Sequence, residues 1–521
     1  MEKELVLIAG KWRAADASSS FQSANPATRE TLAAEYPVSS WADCDAALAG
    51  ASLAFERMSQ MPGDQIAKFL EAYADLIEAN SDKLVETANQ ETGLPVSPRL
   101  ADVELPRTTG QLRQAAEAAR SGSWKQATID TANGIRSCYG PLGPVCVFGP
   151  NNFPFAFNSL AGGDFAAAIA AGNPVIGKAN TSHPGTTKVF AELAQQAADA
   201  TGMPEGTVQL LYRTSHEDGA KLVSDPRVGA TGYTGSRNAG LALKKAADTA
   251  GKPIYLELSS VNPVVILPGA ISETGVEEMA GEFSGSCLMG TGQFCTNPGL
   301  VVLLKGAEGD ALIEAIGRKF EEAPDGVLLS AAVEDSLGKS HEILKKAGAE
   351  VVFGTGDGTN SGFSRRNTLL KVSGAKFTEN PEELQTEAFG NCSLIVVADD
   401  LAQAVEVISS LEGNLTGCVY SAKDGSDDEA YGRIEPALRR KVGRLLNDKM
   451  PTGVAVSSAM NHGGPFPATG HPGFTAVGIP ASLIRFGALH CYDNVREERL
   501  PEILKDGYSG DAQRLVDGKW S

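Results

Sequence analysis

Residues Val145–Lys178 read VCVFGPNNFPFAFNSLAGGDFAAAIAAGNPVIGK. The apolar run Val145–Phe148 leads into a loop rich in Gly, Pro and Asn. An Ala-rich stretch, Ser159–Ala171, follows and is stopped by Gly172, and a second apolar run, Val175–Lys178, closes the unit. The order predicts strand, loop, helix, strand. Both strands are apolar on successive residues rather than alternating, which suits strands covered on both faces, as in a parallel sheet. The same rhythm continues downstream. Helices are expected over Thr186–Ala200, near Glu217–Val223 and over Ser236–Thr249, and strands over Val208–Tyr212, Val228–Tyr233 and Ile254–Leu258. The chain is therefore expected to be an α/β protein with a parallel sheet between two helical layers.

Further out the organisation changes. Residues 26–120 are polar and helix-rich, with amphipathic helices expected over Ala42–Arg57 and Gln65–Ala79. Ser123–Tyr139 alternates and suits a hairpin leaving the first α/β unit. Beyond Pro263 a second α/β series begins, with strands expected at Leu300–Leu304, Leu369–Val372, Leu394–Val397, Cys418–Ser421 and Gly443–Leu446. Met450–Thr475 is rich in Gly, Pro, Ser and Thr and reads as an ordered surface loop. A chain of 521 residues exceeds one ordinary core, so two or three domains are expected.

Composition removes several classes of function. Apolar residues make up 42% and charged residues 21%, which fits a folded enzyme and not a disordered chain. The formal charge of −19 repels phosphate backbones and anionic lipid, so neither nucleic acid nor membrane is expected as a partner. The eight cysteines are scattered without a CxxC pair and read as free thiols in a reducing compartment. The six histidines form no metal-binding spacing, so no metal is expected. The apolar stretch near the N-terminus is too short for a secretory signal, and no 18-residue apolar run occurs, so the cytoplasm is the expected location.

Three segments carry chemistry. Gly149–Phe155 is a rigid loop following a strand and containing Asn152; Glu257–Pro263 puts a carboxylate at the end of an apolar strand; Gly290–Gly299 puts Cys295 in a Gly-rich loop. Most cysteines in proteins are small buried hydrophobes, a reading that suits Cys138, Cys146, Cys287, Cys392 and Cys418. Cys295 differs, because its neighbours are Gly, Gln, Thr, Asn and Pro. Glu257 lies inside Ile-Tyr-Leu-Glu-Leu, where a carboxylate is costly without a role or a partner. Asn152 alone is ordinary turn chemistry. Together the three fit one reaction: a thiol attacks an aldehyde, fixed donors hold the resulting oxyanion, and a carboxylate activates water.

Two strand ends suggest a nucleotide site, Gly177–Thr181 and the turn Tyr233–Gly240 that opens a helix. The second is neither GxGxxG nor a phosphate-binding P-loop. Taken alone, Lys178 is better read as a solvated charge than as a ligand-binding residue.

These motifs resemble the aldehyde dehydrogenase superfamily along nearly the whole chain, from Asn25-Pro26-Ala27-Thr28 to the region of Phe486. The resemblance implies Cys295 as nucleophile, Glu257 as general base and Asn152 as oxyanion-hole amide. It implies Lys178 at the adenosine ribose, Gly235 and Ser236 at the pyrophosphate, and Glu387 and Phe389, within Thr386–Gly390, at the nicotinamide end. NADP or NAD is the implied cofactor. NADP is favoured because Thr181 stands where NAD-preferring relatives carry a carboxylate that would repel a 2′-phosphate. The implied fold is a Rossmann-like cofactor domain (1–122 and 141–258), a second α/β catalytic domain (259–450), and an oligomerisation hairpin with the C-terminal region (123–140 and 478–521), with 451–477 as an ordered surface loop near the active site. A homodimer or homotetramer is implied.

Phe153–Asp164, His183-Pro184-Gly185 and Gly464–Ala468 are similar to the branch holding 2-oxoglutarate semialdehyde dehydrogenases and an NADP-dependent fatty aldehyde dehydrogenase. Two departures alter pocket shape: Glu257-Leu258-Ser259-Ser260 in place of the commoner Glu-Leu-Gly-Gly, and the bulky Phe294. A pocket mouth formed by Phe153, Phe157, Phe294, Phe466 and Phe474 would favour medium aliphatic or aromatic aldehydes. A semialdehyde would need a cation for its carboxylate, with Arg107, Arg113 and Arg237 nearest in sequence to the motifs. The subgroup motifs cover more positions, so the semialdehyde leads. A cofactor-independent thiol esterase would use Cys295 and Glu257 but leaves Lys178, Glu387 and Phe389 without a role.

Overall fold

The computed structural model describes residues 3–521, and its core is built on two seven-stranded sheets. The first sheet runs Ile254–Glu257, Ala230–Thr234, Val145–Phe148, Val175–Lys178 and Val208–Leu211, all parallel. An N-terminal hairpin, Val6–Ile8 with Lys11–Arg13, joins antiparallel at the far edge. Val145–Phe148 and Val208–Leu211 are buried at every position, as their unbroken apolar runs require. Helices Gly163–Ala170, Pro184–Thr201, His216–Ser224 and Arg237–Thr249 make the connections.

The Ala-rich helix starts later than its composition suggests. Ser159–Gly162 forms a turn rather than a first helical turn, because Asn158 takes over its backbone: its side chain accepts from the Leu160 N–H and its carbonyl from the Gly162 N–H. Other sheet boundaries move by one or two residues.

The second sheet runs Thr368–Ser373, Cys392–Ala398, Leu300–Leu304, Val264–Ile266, Asn414–Tyr420 and Val442–Asn447 in parallel, with Glu350–Phe353 antiparallel at one edge. Val264–Ile266 is central and was not anticipated, since three apolar residues after a proline carry little periodic signal. Ala127–Asp130 and Ile135–Pro141 form a hairpin, and Gly487–Asp493 pairs antiparallel with Ile135–Pro141 while Arg514–Val516 pairs with Ala127–Asp130. The hairpin and the C-terminal residues thus share one five-stranded sheet.

The segment 451–477 is only in part a surface loop. Its Gly, Pro and Ser content suggested solvent exposure, yet His462, Thr469 and Phe474 are buried. Buried irregular backbone must find partners. Here the Leu258 N–H donates to the Ala468 carbonyl and the Gly470 N–H to the Leu256 carbonyl, so the loop pairs against the strand that carries Glu257. No helix among the described residues is long and apolar enough to cross a membrane.

Candidate active site

Parallel strands of the first sheet all point their carboxyl ends one way. Phe148 lies beside Lys178 and Tyr233, and Thr234 beside Glu257, in register. The loops after these strands therefore gather at one edge, where open α/β sheets bind ligands. A cavity of about 750 Å³ opens there. Its walls include Asn152, Thr181, Gly235, Ser236, Glu257, Cys295, Glu387 and Phe389.

Each segment is held by buried hydrogen bonds. Glu104, fully buried, accepts from the N–H groups of Phe155 and Ala156 at 2.8 and 3.1 Å. Asn180 donates to the Gly149 carbonyl at 3.1 Å, and the His183 ring meets the Pro150 carbonyl at 2.9 Å. Burial depresses His183 to about 4, so the ring is neutral at physiological pH and donates there as a hydrogen-bonding tether. Asn152 donates its side-chain amide to the Gln293 carbonyl at 2.9 Å, two residues before Cys295. One amide hydrogen remains for another acceptor.

The Cys295 loop is pinned from below. Asn262, in the left-handed region at φ 48°, donates to the carbonyls of Cys295 and Asn297, both at 2.9 Å. Gly292 has φ 67°, and a Cβ there would come within 2.1 Å of the Gly390 carbonyl oxygen. The loop's glycine thus permits direct contact with the Thr386–Gly390 segment.

At the inner end of the cavity three side chains converge. His462 Nε2 lies 3.0 Å from Glu257 Oε1 and 3.4 Å from Cys295 Sγ. His462 and Glu257 are each 1% exposed, so the imidazole–carboxylate pair acts in a low dielectric. An Nε2–H can serve both neighbours. The Glu257 Oε2 atom is buried without a protein partner. Burial first, and then the charge of Glu257, push the Cys295 thiol well above its ordinary range, while Arg107 pulls it down. Burial and the Glu257 charge both favour the protonated thiol at Cys295 in the free protein. Glu387 is pushed up to about 7 by burial, against bonds from Ser259 and the Ser260 N–H. Lys178 is lowered to about 8, by burial and then by the charge of Arg213.

The structure brings Asn152, Glu257, Cys295, Thr181, Gly235, Ser236, Glu387 and Phe389 to one cavity, with Lys178 ending the strand next to it. Phe153, Phe157, Phe294 and Phe474 pack together as a buried cluster against the Cys295 loop. Phe466 does not join them: it is 62% exposed, although the neighbouring Pro467 and Ala468 are buried. Arg113 is engaged on the surface by Asp75 and Glu78, whereas Arg237 lines the cavity and is paired with Glu412. Of the three arginines only Arg107 reaches the aromatic cluster, with its guanidinium 5.2 Å from the Phe157 ring centre and 5.8 Å from that of Phe153. Cys287 sits in the core, as expected.

Sequence reasoning missed His462 and Arg99. His462 lies 167 residues from Cys295, in a segment of loop composition, and only its pairing with the Glu257 strand brings it inward. Arg99 stacks on Phe153 at 4.1 Å and on Phe294 at 4.8 Å and donates to the Asn152 carbonyl. A lone Arg in a polar stretch gave no signal.

A half-buried thiol beside a buried imidazole–carboxylate pair, in a cleft built on strand carboxyl ends, defines a thiol-dependent enzyme with room for a nucleotide. The aldehyde dehydrogenase family matches residues 12–440, and the chain belongs to it. Alpha-ketoglutaric semialdehyde dehydrogenase 2 of Azospirillum brasilense is 39% identical, over 98% of each chain. Alpha-ketoglutaric semialdehyde dehydrogenase of Acinetobacter baylyi is 37% identical, over 91% of each chain. The fold matches aldehyde dehydrogenase C of Pseudomonas syringae, solved with NAD⁺ and octanal, with a TM-score of 0.80 at 20% identity over 95% of this chain and 98% of that one. It matches 1-pyrroline-5-carboxylate dehydrogenase from Thermus, solved with NAD, with a TM-score of 0.80 at 24% identity over 94% and 92% of the two chains.

Proposed function

We propose that this aldehyde dehydrogenase oxidises 2-oxoglutarate semialdehyde to the dicarboxylic acid, with NADP⁺ preferred over NAD⁺. The observation that carries the chemistry is the contact of Cys295 Sγ with His462 Nε2, itself bonded to Glu257. Cys295 adds to the aldehyde carbon as the thiolate, its proton released through the cleft to solvent. The thiohemiacetal oxyanion is held by the Asn152 amide and the Cys295 N–H. When bound, the dinucleotide's nicotinamide supplies the acceptor for the hydride that leaves this carbon. The Cys295 thioester that results is opened by water, whose proton Glu257 takes at Oε2, the oxygen without a protein partner. His462 holds Oε1 and so orients the carboxylate.

The cavity fits a dinucleotide in its donor set as well as its size. Gly235 and Ser236 open the helix Arg237–Thr249, whose first N–H groups suit a phosphate. Thr181, Ser182 and Arg213 line another part of the wall, and among the described residues the lining carboxylates are Glu257 and Glu387, in the strand end and segment around Cys295. A cationic region without a carboxylate suits the 2′-phosphate of NADP⁺. Lys178 adds to it. The substrate assignment rests on the names of the two bacterial relatives and on the subgroup motifs.

In the same reading residues 1–122 and 141–258 form the cofactor domain, 259–450 the catalytic domain, and 123–140 with 478–521 the surface through which a homodimer or homotetramer assembles. All eight cysteines are free in the structure, which fits work in the reducing cytoplasm. The test is kcat/KM for 2-oxoglutarate semialdehyde, hexanal and benzaldehyde, followed at 340 nm with each cofactor. The semialdehyde should lead; a tenfold lead for hexanal or benzaldehyde, about 1.4 kcal/mol, would remove the assignment.

A further inference from the structure

A carboxylated aldehyde and an aromatic pocket conflict unless a cation is built into the aromatic wall. Arg107 stands in the first turn of the helix Leu105–Ser121. Its Nη1 donates to the Val454 carbonyl at 3.0 Å, which fixes the guanidinium against the segment that carries His462. Its Nε and Nη2 are both buried and have no protein partner. Those two atoms form one edge of the guanidinium plane, the edge that grips a carboxylate with two parallel hydrogen bonds. Other arginines differ: Arg99, Arg366 and Arg444 each leave only Nε buried without a partner, and Arg485 only Nη1.

The position also fits. The guanidinium lies over Phe157, whose ring is 5.8 Å from that of His462, and over Phe153, whose ring is 5.4 Å from that of Phe294, the neighbour of Cys295. An aromatic wall thus runs from the nucleophile to Arg107. The carboxylates whose charges act on Arg107 are Glu104 and Glu257. Glu104 is already committed to Arg99 and to the N–H groups of Phe155 and Ala156.

We infer that Arg107 is the specificity-determining residue of the aldehyde pocket, and that its Nε–Nη2 edge binds the distal carboxylate of a short-chain ω-carboxylated aldehyde. The aromatic rings cover the methylene chain between the two ends. A 2-oxo acid offers the same edge two oxygens, so 2-oxoglutarate semialdehyde satisfies it. The inference rests on the substrate reading above only for the identity of the chain, not for the carboxylate.

The test compares Arg107→Met and Arg107→Lys with the wild type on 2-oxoglutarate semialdehyde and on pentanal, a neutral aldehyde of the same chain length. Arg107→Met should lower the ratio of kcat/KM for semialdehyde over pentanal about a hundredfold, chiefly through KM. Arg107→Lys keeps the charge but loses the fork and should lower the ratio about tenfold. Glutarate should inhibit pentanal oxidation competitively in the wild type, with Ki at least tenfold higher in Arg107→Met. NADP⁺ binding by fluorescence reports whether the variants are folded. A wild type that prefers pentanal while glutarate inhibition still depends on Arg107 would remove the semialdehyde assignment and keep the carboxylate site. Equal losses on both aldehydes, an unchanged glutarate Ki, or a shift only in the pH dependence of Cys295 alkylation would overturn the inference, since each marks a residue that merely packs or tunes the thiol.

Discussion

Cys295 is accompanied by groups that could either ionise it at rest or keep it protonated until substrate arrives. Burial and the Glu257 charge raise its pKa; Arg107 acts against them and is weaker. The thiolate is the nucleophile, so reactivity below the pKa should follow the thiolate fraction. Inactivation of the free enzyme by iodoacetamide should accelerate about tenfold per pH unit across the neutral range, without a plateau, and Cys295→Ser should abolish the oxidation and remove one labelled site while the exposed Cys491 still reacts. A plateau below pH 7 would mean a resting thiolate–imidazolium pair, contrary to the geometry. Glu257 acts after the hydride has left, because the water it activates is needed only to open the thioester. Glu257→Gln should therefore release about one NADPH per site in a rapid burst and then turn over slowly, the amide being unable to take a proton. Rapid mixing that shows linear turnover without the burst would move the deacylation role to another group.

The elements that build the cofactor cleft were the most legible part of the chain. Val145–Phe148, Val175–Lys178 and Leu300–Leu304 fall where their apolar runs begin and end, because a strand buried on both faces has no room for polar residues. The segment 451–477 was the least legible. Its backbone is satisfied by pairing with a strand some two hundred residues away, and composition carries no trace of such a partner. His462 was lost with it, and Phe466 was placed in the pocket for the same reason. Cofactor choice belongs to this scale, since it depends on the loop after Val175–Lys178 meeting Arg213 from a neighbouring strand. Placing a carboxylate there by Thr181→Glu should lower kcat/KM for NADP⁺ relative to NAD⁺ by about a hundredfold, near 2.7 kcal/mol. An unchanged ratio would show that the 2′-phosphate lies elsewhere or is not bound.

At the scale of the molecule, the two α/β units and the hairpin were readable from the order of the elements, but the closing of the C-terminal residues onto the hairpin was implied only by resemblance. Gly487–Asp493 lies at the edge of the five-stranded sheet, so one row of its backbone groups has no strand partner among the described residues. Such an edge recruits another strand unless it is guarded. Leu489 is 61% exposed on it, and Ile135, on the paired strand, is also exposed. The proposed homodimer or homotetramer would cover this edge with its counterpart from a second copy. Each chain carries a formal charge of −19, so copies repel at long range, and the contact must be carried by strand pairing and apolar burial. Two consequences follow for mass measured by light scattering during gel filtration. The wild type should assemble more tightly at 0.5 M salt than at 0.02 M, because screening shortens the repulsion to about 4 Å at the higher value. Leu489→Lys should shift the mass toward the monomer at both, since it puts a charge into the apolar part of the contact while leaving the first sheet and Cys295 untouched. A wild type that elutes as a monomer at every salt concentration, or a Leu489→Lys protein with wild-type mass, would show that copies do not meet at this edge.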